Sequence, residues 1–124
     1  KPFDVAEAKE IIKTKPQQLS QEEMFLVAQT YEPGSKEFND VMEIAVRMFP
    51  ENETANLNAA NTRLNAGDAD GAKSYLDKAG NSPEALNARG VYESLKGNDQ
   101  QARHYFALAA KAGVKAAQEN LENL

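Results

Sequence analysis

A chain of 124 residues is long enough for one domain with its own core, and a hydrophobic share of 41% with 27% charged residues is ordinary globular usage. The net charge of −5 and the scatter of lysines and arginines among carboxylates leave no basic patch, so nucleic acid is not an expected partner. The absence of cysteine excludes disulfides and thiolate chemistry, and no apolar run approaches the roughly 18 residues of a membrane span, so no direct membrane insertion is expected.

The opening Lys1-Pro2-Phe3 has no initiator methionine and no apolar signal segment, as expected of a cut-down or processed fragment. Asp4 to Thr14 reads as a helix, with Asp4 as its cap and Glu7 three positions later. Ser20-Gln21-Glu22-Glu23 has capping-box spacing and leads into Met24, Phe25, Leu26 and Ala28. A turn at Pro33-Gly34-Ser35 follows, and Phe38, Met42, Ala45 and Phe49 then mark one face of a second helix.

The next helix is expected over about 53–66, with its partner over about 69–79. Ser82-Pro83-Glu84 supplies a cap and a first-turn proline for a helix running to about Lys96. Its partner runs from Asp99 to about Ala112, and a closing helix spans Ala116 to Leu124 with Leu121 and Leu124 buried. Eight helices result.

These elements recur. Pro16, Pro50 and Pro83 fall at nearly equal intervals, and the glycine turns at Asn65-Ala66-Gly67-Asp68 and Leu95-Lys96-Gly97-Asn98 are each followed by an alanine, Ala72 or Ala102. The implied organisation is a half-unit at 3–16, units at about 19–51, 53–81 and 83–113, and a capping helix at 115–124.

On these residues the chain resembles the tetratricopeptide repeat, with a Sel1-like flavour in Tyr105 to Gly113. Leu86, Gly90, Ala102, Phe106 and Ala109 match its alternation of large and small residues. Ala60, Ala72, Leu76 and Ala79 follow it in the unit before, and Phe25, Leu26, Phe38, Met42, Ala45 and Pro50 in the first. The sequence departs from the family at Glu93, where an aromatic is usual, and at Phe38, where alanine is. The last two units are also closer together than the family period of about 34 residues. The resemblance implies an all-α, right-handed α-α superhelix of helical hairpins. The segments Leu26 to Ser35 and Ala55 to Asn61 also resemble the C-terminal helical region of envelope proteins from Bacteroidetes. That second resemblance implies a periplasmic or outer-membrane-associated location within a larger protein.

No catalytic site is expected. His104, the one histidine, falls in a stretch where Tyr105, Phe106 and Ala109 turn inward, which puts it on the solvent side. Asp68-Ala69-Asp70-Gly71 lacks the later ligands of a calcium loop and reads as a capping turn. Neither a metal nor a cofactor is expected.

In the family, the first helix of each unit lines a concave face that holds extended peptides. Register then assigns Glu23, Val27, Thr30 and Tyr31 to the groove, followed by Leu57, Asn58, Asn61, Leu64 and Asn65, then Asn87, Val91 and Ser94. Asparagine is a poor helix-interior residue, yet Asn56, Asn58, Asn61 and Asn65 share one helix. Amides both donate and accept, so such a row suits the backbone of a bound chain; the alternative is local bonding or plain solvation. Asn61 matches an asparagine of carboxylate-clamping members, but the clamp lysines are missing, so no clamp is expected. The expected partner is a protein or peptide segment, and the competing expectation is a structural spacer whose own terminal helix fills the groove.

Overall fold

The computed structural model describes residues 2–124; Lys1, part of the expected processed end, lies outside the described residues. Among the described residues the chain is all-helical, with eight α-helices, one short 3-10 turn at Pro16–Gln18 and no strand. The helices are α1 (Val5–Thr14), α2 (Gln21–Ala28), α3 (Lys36–Met48), α4 (Glu53–Asn65), α5 (Ala69–Leu76), α6 (Pro83–Leu95), α7 (Asp99–Lys111) and α8 (Lys115–Glu122).

Local chemistry sets most of these boundaries. The first amides of a helix have no internal partner, so a side-chain oxygen just before the helix stabilises its start. Asp4, Ser20, Ser35, Asn52, Asp68 and Ser82 all act in this way. At Ser20 the capping box is complete, because Glu23 accepts from the Ser20 amide at 2.8 Å. Asp68 accepts from the Gly71 amide at 2.8 Å, so the calcium-like tetrad is a helix cap, as its sequence predicts. Three helix ends close on glycines with left-handed backbone, Gly67 (φ 78°), Gly97 (φ 83°) and Gly113 (φ 100°). The first two show the bond pattern of a Schellman turn most tightly, Asp68 N donating to Arg63 O and Asn98 N to Glu93 O, each at 2.8 Å.

Consecutive helices pack against one another, and α4, α6 and α8 also make contacts that skip the intervening helix. The buried apolar residues fall into three clusters in chain order. The first joins Ile12, Met24, Val27, Val41, Met42 and Ala45; the second joins Ala60, Leu64, Ala72, Leu76 and Ala88. The third joins Ala102, Phe106, Ala109 and Ala117. This segmentation agrees with a helical repeat, in which each unit buries its apolar face on its neighbours. Gly90 is buried where Phe106 approaches α6, which makes physical sense of the large–small pairing in the sequence.

Three expectations about burial need correction. Leu26 is 45% exposed, because Met24, Val27 and Ala28 take the buried positions of α2. Leu124 is 37% exposed, because α8 ends at Glu122 and carries it beyond the helix. The helix expected over 69–79 ends at Leu76, and Ala79 is buried from the turn that follows.

Candidate functional site

The sequence of α4 divides the helix into two faces. Ala55, Asn56, Ala59, Ala60 and Leu64 are buried. Asn58, Asn61, Thr62 and Asn65 lie at positions i, i+3, i+4 and i+7, which share one side of a helix. That side forms the wall of an open cleft of about 540 Å3. Across from it α6 contributes Asn87 and Val91, and α8 contributes Ala116 and Asn120, each pair one helical turn apart. Gly34 and Asn39, at the start of α3, close the other end, and Leu64 reaches the floor.

Six asparagines from four helices therefore meet in one place. Asn58 Nδ2 donates to Asn39 Oδ1 at 3.3 Å, and Asn120 Nδ2 donates to Asn87 Oδ1 at 3.1 Å. Among the described residues, the side-chain amides of Asn61 and Asn65 have no hydrogen-bond partner. Asn61 is half-buried and Asn65 exposed, so both present donors and an acceptor towards the cleft. None of the side chains lining the cleft is ionisable.

The wall is braced from behind. Arg63 pairs with Glu43 of α3, donating through Nη1 to Oε1 and through Nη2 to Oε2, the second at 3.3 Å. Its guanidinium also lies over the Tyr75 ring, 4.6 Å from the centroid. The hydrogen bond to Glu43 holds the Arg63 pKa above its usual value, so the guanidinium remains charged. Beside it, Thr62 Oγ1 donates to Ala59 O at 2.9 Å. The two ends of the bonded wall, α3 and α4, are thus tied at both Asn58 and Arg63.

Of the residues expected in the groove, the structure brings together Asn58, Asn61, Leu64, Asn65, Asn87 and Val91. Leu64 contributes little accessible surface, being 4% exposed in the second cluster. The α2 residues do not reach the cleft. Val27 is fully buried in the first cluster. Tyr31 packs on that same cluster, with the Lys9 ammonium 4.8 Å from its ring centroid. Glu23 is engaged in the capping box, and the Thr30 hydroxyl donates to Val27 O at 2.7 Å. Leu57 packs on the second cluster, and Ser94 lines a smaller depression next to the cleft. The physical reason is that α2 faces α1 and α3, so in the first unit the start of the second helix takes the groove position.

Asn39 and Asn120 were missed. An asparagine in a helix reads as a solvated position, and its partner lies 19 residues away for Asn39 and 33 away for Asn120. Asn56, grouped with the others by sequence, turns away: at 2% exposure it donates to Pro50 O at 2.9 Å and Asn52 O at 2.8 Å. His104 is exposed beside Tyr105, their ring centroids 5.7 Å apart. Among the described residues no group of three or more His, Asp or Glu is arranged to hold a metal ion, and no helix is long and apolar enough to cross a membrane. Compared with known proteins, the chain matches no family model, no curated sequence and no solved structure.

Proposed function

We propose that the chain is a tetratricopeptide-like binding module that holds an extended segment of a partner polypeptide along its asparagine-lined cleft. One observation carries this reading: six asparagines converge on one uncharged cleft, and two of them have amides with no partner among the described residues. Both amides are open to the cleft, and a peptide backbone supplies donors and acceptors that would pair with them in place of water. Asn58 to Asn65 spans about 10 Å of helix, the length of roughly three extended residues. The arrangement offers recognition of backbone amides and no nucleophile, acid or base to act on them. The right-handed superhelix of the family fits the pairing of successive helices, and the envelope location rests on the sequence resemblance. Fractionation of source cells tests that location: recovery with the envelope is expected, and recovery in the cytosol overturns it.

The test of binding is selection from a displayed random-peptide library on the purified protein and on its Asn61→Ala/Asn65→Ala variant. Each amide bond contributes about 0.5–1.5 kcal/mol, so the double variant should bind selected peptides roughly tenfold to a hundredfold more weakly with folding intact. Equal binding by both proteins would remove the cleft from the reading.

A spacer role is the second reading, and the bond from Asn120 of α8 to Asn87 favours it, because the chain's own terminal helix occupies one end of the cleft. Under that reading the library yields no enriched sequence on the intact chain.

A further inference from the structure

Inside the cleft, the bonds between asparagines use one end of an amide and leave the other. Asn39 Nδ2 donates to Gly34 O at 3.4 Å, which turns Asn39 Oδ1 towards Asn58, and Asn58 Nδ2 donates to it at 3.3 Å. Asn58 keeps its Oδ1, which has no partner among the described residues. Across the cleft Asn120 Nδ2 donates to Asn87 Oδ1 at 3.1 Å, which leaves Asn87 Nδ2 as a donor and Asn120 Oδ1 as an acceptor. With the whole amides of Asn61 and Asn65, α4 offers donors and acceptors along one side of the cleft. α6 and α8 offer the Asn87 donor and the Asn120 acceptor along the other.

The spacing of these amides suits one kind of backbone. Asn61 and Asn65 are four positions apart on α4, a rise of about 6 Å. Along one edge of an extended chain, N–H and C=O groups recur at every second residue, about every 6.6–6.8 Å. One helical turn of asparagines therefore matches one two-residue repeat of a strand to within about 1 Å. Each residue of a strand turns its N–H and C=O to one edge, and the next residue turns them to the other. A helix keeps its backbone bonds internal and would leave both rows of amides facing its side chains.

Resting on the binding reading above, we infer that the cleft grips a single extended strand along both of its edges. The α4 asparagines bond alternate residues, and Asn87 with Asn120 bonds the residue between them. The occupant is therefore a loop or tail with both edges unpaired, not a helix and not the edge strand of a sheet.

The test replaces the backbone amides of a library-selected peptide by esters, one position at a time, since an ester keeps the shape of the chain and lacks the N–H donor. On the wild type, esters at adjacent positions within a footprint of about three residues should each weaken binding about twofold to tenfold. The scan is repeated on Asn61→Ala/Asn65→Ala and on Asn87→Ala/Asn120→Ala. None of these four residues is buried, so both variants should keep the wild-type melting curve, and the wild-type scan depends on neither of them. The first variant should remove the ester penalty at alternate positions, and the second at the position between. Penalties confined to alternate positions on the wild type refute the second edge. Penalties at adjacent positions that neither variant relieves assign a helical occupant and overturn the proposal. If no ester weakens binding, the two-edged grip is refuted while capture by the cleft stands. If the wild type enriches no peptide, the binding reading fails and the grip with it.

Discussion

Inside the junction between α3 and α4, the Asn56 side-chain amide donates to Pro50 O, a carbonyl outside the helix ladder, and to Asn52 O, which also accepts from the Asn56 backbone amide. Asn61, five positions along the same helix, has no such task. Asn56→Ala should therefore destabilise folding by about 1–3 kcal/mol, the cost of leaving buried polar groups unsatisfied. Asn61→Ala should be neutral or raise stability by a few tenths of a kcal/mol, because alanine is the better helix former. Urea titration of the two variants reads the difference, and equal midpoints would contradict it. Gly90 makes an opposite demand on helix propensity. A Cβ there would meet Cε1, Cδ1 and Cζ of Phe106, all within 3.0 Å, and the ring is buried at 2% exposure. Alanine at an open helical site gains about 1 kcal/mol over glycine, but overpacking costs about 1–3 kcal/mol. Gly90→Ala should lower the melting temperature, and a rise would mean that Phe106 repacks freely.

Helix starts were legible because capping is local: Asp4, Ser20, Ser82 and the turn at Asp68 read as caps from sequence, and Ser35 and Asn52 act over the same three-residue reach. Helix faces were legible only in part. On α4 the cleft asparagines could be chosen from spacing, although Asn56 shares the buried face with the alanines. On α2 apolar residues run consecutively from Met24 to Ala28, so periodicity cannot say which of them meets the core. Val27 was consequently placed in the groove when it lies at full burial in the first cluster. The end of α5 depends on a residue from another element. Arg89 Nη2 donates to Leu76 O at 3.0 Å and Gly80 O at 2.7 Å, so a cation of α6 ties the last carbonyl of an 8-residue helix to the turn that follows it. A helix that short is marginal by itself. Arg89→Met keeps the aliphatic stem and removes the donors. Hydrogen exchange should then show α5 amides losing about 1–3 kcal/mol of protection while α2 and α3 are unchanged. A uniform loss across the chain would assign Arg89 to general packing instead.

Across the whole molecule, the three clusters lie in chain order, and each helix packs mainly on its neighbours in sequence. Such a chain approximates a row of units coupled through nearest-neighbour interfaces, with its ends least secured. α8 is the C-terminal piece, packed on α7 and α6. It has no side-chain cap at its start, only Ala117 is fully buried, and Val114 and Leu121 are half-buried against the third cluster. Removing residues 115–124 strips that cover from Phe106 and Ala109 and removes Asn120 from the cleft. Nearest-neighbour coupling predicts that the loss stays close to the cut. Amides in the second half of α7 should exchange faster by about tenfold or more, while those of α2 and α3, packed in the first cluster, keep their rates. Complete unfolding of the shortened chain in a single step would show instead that the three clusters form one cooperative core. The same shortened chain bears on the cleft, because Asn87 would lose the partner it holds across the end. If the terminal helix acts as a spacer's own occupant, its removal should let the chain enrich library peptides that the intact chain rejects. If the cleft binds as proposed, the intact chain already enriches them, and the loss of Asn120 with α8 should weaken that binding.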